Sequence, residues 1–78
     1  MQQGDLEAAR KTFEGLVQEN PLDALTWFNL GQISLERDEP KQAALHFRRA
    51  LDIVPGDTRF TAALAKARER TQAPQGPR

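Results

Sequence analysis

The sequence predicts an all-α fold of four antiparallel helices arranged as helix–turn–helix repeats. Three observations predict it. Shifting the chain on itself by 34 residues superposes Ala9 on Ala43, Phe13 on Phe47 and Pro21 on Pro55, and a fixed internal period of that size marks a repeat architecture. Apolar residues recur at three- and four-residue steps, as one face of an α-helix requires. Prolines stand at Pro21 and Pro55, where those runs stop, and the residue before a proline is driven out of helical geometry.

The first helix is expected over roughly 5–19, with Leu6, Ala9, Phe13, Leu16 and Val17 on its apolar face. Asp5 is expected as its N-cap, since a carboxylate there accepts from the unpaired amides of the first turn. Asn20-Pro21 ends it. Asp23 is then placed to cap a second helix, 23–36, with Trp27, Leu30, Gly31 and Ser34 along one stripe. Pro40 opens a third helix, 40–53, because first-turn amides have no intrahelical partner for proline to remove. Ala43, Ala44, Phe47, Ala50 and Leu51 form its apolar face, and Val54-Pro55-Gly56 ends it. Asp57 caps a fourth helix to about Thr71, with Phe60, Leu64 and Ala67 facing inward. Residues 72–78 hold two prolines and a glycine with almost nothing apolar, and are expected as a disordered tail.

Composition narrows the function. Hydrophobic residues make up 38% and charged residues 28%, ordinary for a folded domain and too apolar for outright disorder. Lysine plus arginine equals aspartate plus glutamate, 11 each, which argues against nucleic acid, whose phosphate backbone selects a basic excess. The run Lys66–Arg70 reads as a solvated helix end whose cations meet the negative end of the helix dipole. With no cysteine, disulfides and thiolate metal sites are excluded. No apolar run approaches the roughly 20 residues of a membrane span, so no membrane partner is expected. No secretory apolar block occupies residues 1–20. The expected compartment is the cytoplasm, unless a signal lies outside this sequence.

Catalysis finds no foothold. His46 is the only histidine, and it is expected on the solvated side of its helix without the partners that a general base or a metal requires. Ser34, the only serine, lies in a helical stripe with no nucleophile motif around it. The five glycines are scattered singly, so no phosphate-binding loop forms. The expectation is no enzyme, no cofactor and no metal.

Trp27, Leu30-Gly31, Ala43, Phe47, Ala50 and Pro55 together resemble the tetratricopeptide repeat, a helix–turn–helix unit of 34 residues. Gly31 and Ala43 are small so that the two helices of a unit approach closely, while Trp27 and Phe47 fill the space around that contact. Ser34 departs from the pattern: the family usually has tyrosine there, so local packing is expected to be looser. The resemblance implies a short right-handed superhelix. It divides the chain into the second half of a repeat (1–21), a complete repeat (22–55), a closing helix (56–71) and the tail (72–78). The chain thus reads as the C-terminal part of a longer array.

The resemblance also implies a function, the binding of a protein or peptide in a concave groove lined by the first helix of each unit. Carried over here, the groove residues are Leu25, Phe28, Asn29, Gln32 and Glu36, with Arg59, Ala62, Ala63 and Lys66 from the fourth helix. Leu25 and Phe28 are the most telling, being large and apolar with no place in the repeat signature. Phe28 is accordingly expected to be exposed; the alternative is that the C-terminal helix simply covers it together with Leu25. Some relatives grip a terminal carboxylate with asparagine and basic residues on these helices. Asn29 and Arg59 stand at two of those places, but Ala63 fills a third where a basic residue belongs, so that specificity is not expected. The alternative is structural self-association. Part of the Leu6, Phe13 and Val17 surface would face solvent, leaving residues 1–12 to fray or to pair with a second copy as a homodimer.

Overall fold

The computed structural model describes residues 3–72, and within them the chain is four helices joined by short turns. They are α1 (Gln3–Glu19), α2 (Ala24–Glu36), α3 (Pro40–Ile53) and α4 (Thr58–Gln72). No strand occurs among the described residues. The helices stack neighbour on neighbour, α1 on α2, α2 on α3 and α3 on α4, the arrangement of a repeat array.

Local chemistry sets most of the boundaries. Asp23 caps α2, its carboxylate accepting from the Thr26 amide at 3.3 Å. Pro40 occupies the first turn of α3. At α4 the Asp57 carboxylate accepts from the Arg59 amide at 2.9 Å, and its carbonyl accepts from the Thr61 amide at 3.1 Å. The end of α2 carries no glycine signal, yet it closes as a Schellman turn. Asp38 takes φ 61°, the Asp38 amide donates to Leu35 O at 3.0 Å, and the Glu39 amide donates to Ser34 O at 2.8 Å.

Asp5 is not the N-cap of α1. The helix already runs from Gln3, so Asp5 lies within its first turn. Gly4 disfavours a helix through its backbone freedom, but in the first turn that cost does not stop the helix, and Gln3 is a good helix former. The Asp5 carboxylate there still meets the positive end of the helix dipole. α4 continues through Gln72, one residue into the expected tail; residues 73–78, like Met1 and Gln2, lie outside the described residues.

The core follows the predicted stripes. Ala43, Phe47 and Ala50 on α3 are fully enclosed, against Leu35 and Ala24 of α2 on one side and Phe60, Leu64 and Ala67 of α4 on the other. Gly31 permits the closest approach: a β-carbon added there would lie 2.3 Å from the Phe47 ring. The remaining buried stripe of α2, Thr26, Leu30 and Ile33, belongs to neither of these clusters, and α1 is the helix left to cover it.

On α1, Leu6 and Val17 are buried and Phe13 is half-buried, so of the surface expected to be partly in solvent only Phe13 stays partly exposed, the rest being covered. The exposed large apolar residue on α1 is Leu16. Leu6, Phe13 and Val17 fall on one line of the helix, which α2 occupies, whereas Leu16 lies to its side. Ion pairs fasten the same contact. Arg37 at the end of α2 donates to Glu7 at 2.8 Å and stands 3.7 Å from Glu39, while Glu7 also pairs with Arg10, which reaches Glu14 at 2.6 Å.

Candidate functional surface

α2 is hydrophobic on most of its circumference, and that isolates the part left in water. Leu25, Gln32 and Glu36 are exposed and Asn29 is half-exposed, at steps of four, three and four residues that hold them on one line of the helix. Leu25 stands out as 45% exposed on a helix whose other leucines are buried.

α4 reaches the same side of α2. The Phe60 ring lies 5.1 Å from the Phe28 ring, and Arg70 donates to Leu35 O at 3.3 Å and to the Asp38 carboxylate at 3.0 Å. The Lys66–Arg70 run is therefore more than a solvated helix end, since Arg70 ties the last turn of α4 to the end of α2. Arg59 and Lys66 are exposed on α4. Arg59 is held by Asp57 at 2.7 Å, with its guanidinium 5.3 Å from the Phe60 ring centre. That hydrogen bond pulls the Asp57 carboxyl below its ordinary value and raises Arg59 above its own. Ala62 is exposed, and Ala63 is half-buried against the core cluster that Phe28 also packs on.

Phe28 corrects the expectation of an exposed anchor. Its ring is partly buried, 5.7 Å from Phe47 and 5.1 Å from Phe60, and it joins both core clusters. Sequence reasoning placed it outside the repeat signature, but Phe60 arriving from α4 makes it part of the core. It forms the floor of this surface and Leu25 its exposed apolar part.

His46 also differs from the solvated residue expected. It is half-buried, its ring 5.8 Å from that of Trp27 and tilted by 31°. Burial lowers its pKa below the ordinary 6.5, opposed by the negative charge of Glu14. Trp27 is fixed from a second direction, its indole N–H donating to Pro21 O at 2.8 Å. A cleft of about 590 Å³ opens beside His46 between α1 and α3, reaching Arg10, Glu14, Ser34 and Lys41. Ser34 is almost fully buried at its edge, so the small side chain leaves open volume where a larger one would reach.

Among the described residues no three histidine, aspartate or glutamate side chains converge as metal ligands would, and no helix is long and apolar enough to cross a membrane. Comparison with known proteins gives one family: a tetratricopeptide repeat model matches residues 1–58. No curated protein matches the chain.

Proposed function

The chain belongs to the tetratricopeptide repeat family, and we propose that it binds a peptide or helix of a partner protein on the surface shared by α2 and α4. Repeats of this family generally serve as protein–protein interaction modules and are typically non-catalytic. The observation that carries the reading is the exposed line Leu25, Asn29, Gln32 and Glu36 on a helix otherwise enclosed by protein. Leu25 offers apolar area, Asn29 and Gln32 offer side-chain amides that both donate and accept, and Arg59 and Lys66 offer cations from the facing helix. Phe28 supports the floor from below. We assign the half repeat to 1–21, the complete repeat to 22–55 and the closing helix to 56–71.

A displayed peptide library selected on the intact chain tests this reading. Leu25→Ser and Lys66→Glu are both surface changes, and each should weaken the selected peptides severalfold while leaving the helical circular dichroism unchanged. Selected peptides that bind both variants as tightly as the original chain would remove the groove. Phe28→Ala is the wrong probe, because loss of a ring packed on Phe47 and Phe60 destabilises the fold itself by about 2 kcal/mol.

Self-association is the second reading, and Leu16 and Leu22, 43% and 74% exposed on α1 and the turn after it, are what favour it. Light scattering over a concentration series separates the two, a rising mass supporting the copy–copy contact.

A further inference from the structure

The outer face of α3 carries a second recess, unconnected with the Leu25 line. It measures about 460 Å³ and lies between the Trp27 indole and the α3 side chains of Gln42, Leu45, His46, Arg48, Arg49 and Asp52. Its centre is apolar, with Leu45 61% exposed beside the half-buried indole. Its indole wall is held by several contacts. Trp27 is held by its hydrogen bond to Pro21 O, by the His46 ring, and by the Arg49 guanidinium 5.6 Å from the indole centre. Tryptophan and arginine in a preformed recess are the residue types that dominate binding energy at protein interfaces, and an indole already held by these contacts loses less freedom when a partner arrives.

The charge around the recess is one-sided. Arg10, Arg37, Arg59 and Arg70 each hold a carboxylate within the chain. Lys41, Arg48 and Arg49 appear in no ion pair of the described residues, and Asp52 is the single acid lining the recess. Lys11, Lys66 and Arg68 on the other helices are likewise in no ion pair of the described residues, but α3 alone sets three such cations, Lys41, Arg48 and Arg49, against one acid around an exposed leucine. We propose that this face docks an acidic segment of a partner protein, one large apolar side chain entering between Trp27 and Leu45 while flanking carboxylates meet Arg48, Arg49 and Lys41. Acidic partners gain bidentate hydrogen bonds from the arginines as well as attraction, whereas for stacking a run of nucleobases the face offers just the indole and the half-buried His46 ring against it.

Trp27 is the only tryptophan, so its fluorescence reports on the recess directly. The test titrates the intact chain with a synthetic peptide in which glutamates flank a single leucine, and with a counterpart carrying lysines in their place. A saturable change in Trp27 emission with the acidic peptide alone, weakening as salt rises, is expected. Leu45→Ser and the double change Arg48→Glu with Arg49→Glu should each weaken it by roughly tenfold with unaltered circular dichroism. The same peptide should bind Leu25→Ser unchanged. No saturable response, equal response to the lysine peptide, or loss with Leu25→Ser in place of Leu45→Ser would overturn the proposal. So would saturable binding of single-stranded DNA or of anionic phospholipid vesicles without binding of the acidic peptide.

Discussion

Gly31 and His46 show how single residues answer to neighbours far along the chain. A methyl group at position 31 would meet the Phe47 ring at 2.3–2.7 Å, and that ring is fully enclosed and cannot swing aside. Alanine gains about 1 kcal/mol of helix propensity over glycine, but overpacking a tight core costs about 1–3 kcal/mol, and the clash wins. Gly31→Ala should therefore lower the urea midpoint, and an unchanged or higher midpoint would contradict the close approach. His46 gives a pH signature. Its folded pKa is lowered by burial, so the unfolded chain binds the proton more tightly and stability falls as pH drops through 6.5 towards the folded value. Glu14 on α1 moderates this, its negative charge favouring the imidazolium. Replacing His46 with asparagine should flatten the slope of thermal midpoint against pH below 6.5. The sequence showed the glycine's role because both partners stand in the repeat signature. It misplaced the histidine because adjacency to Phe47 gives a helix angle and says nothing of the tryptophan waiting on the next helix.

At the scale of the helices, boundaries written in local chemistry were legible and those written in tertiary contact were not. Asp23 and Pro40 act through their own first turns, so their places followed from residue type alone. The surroundings of Phe28 and Arg70 depend on α4 crossing back to α2, which no local pattern encodes. The Schellman turn after α2 is the sharper case, because it uses Asp38 at φ 61° where glycine is the usual signal. Left-handed geometry costs a non-glycine residue roughly 1–2 kcal/mol, offset in part by the bond from Arg70 to the Asp38 carboxylate. That carboxylate is 88% exposed, so the ion pair adds little. Asp38→Gly should accordingly raise the stability of the chain by about 0.5 kcal/mol, read as a higher urea midpoint. A lower midpoint would assign Asp38 a larger share in fastening α4 than its exposure allows.

Across the whole molecule the helices differ in how many neighbours hold them. α3 lies between α2 and α4 and contributes Ala43, Phe47 and Ala50, all fully enclosed, whereas α1 rests on α2 with Leu6 and Val17 buried and Leu16 in water. In a stack bound mainly by neighbour contacts, an end helix such as α1 can open without unfolding the rest. Hydrogen exchange should show it: amides in the middle of α1 should open with a lower free energy than those around Phe47. The Glu7–Arg37 bridge resists that opening, with the Arg37 side chain 22% exposed and Glu7 held ionised, its carboxyl lowered chiefly by the Arg10 hydrogen bond. Arg37→Gln should reduce protection of α1 by a few fold at most, as a partly exposed ion pair is worth under about 1 kcal/mol, and leave α3 protection unchanged. Equal protection of α1 and α3 in dilute solution would mean that the stack unfolds as one unit. Equal protection found only at high concentration would place a second copy against α1.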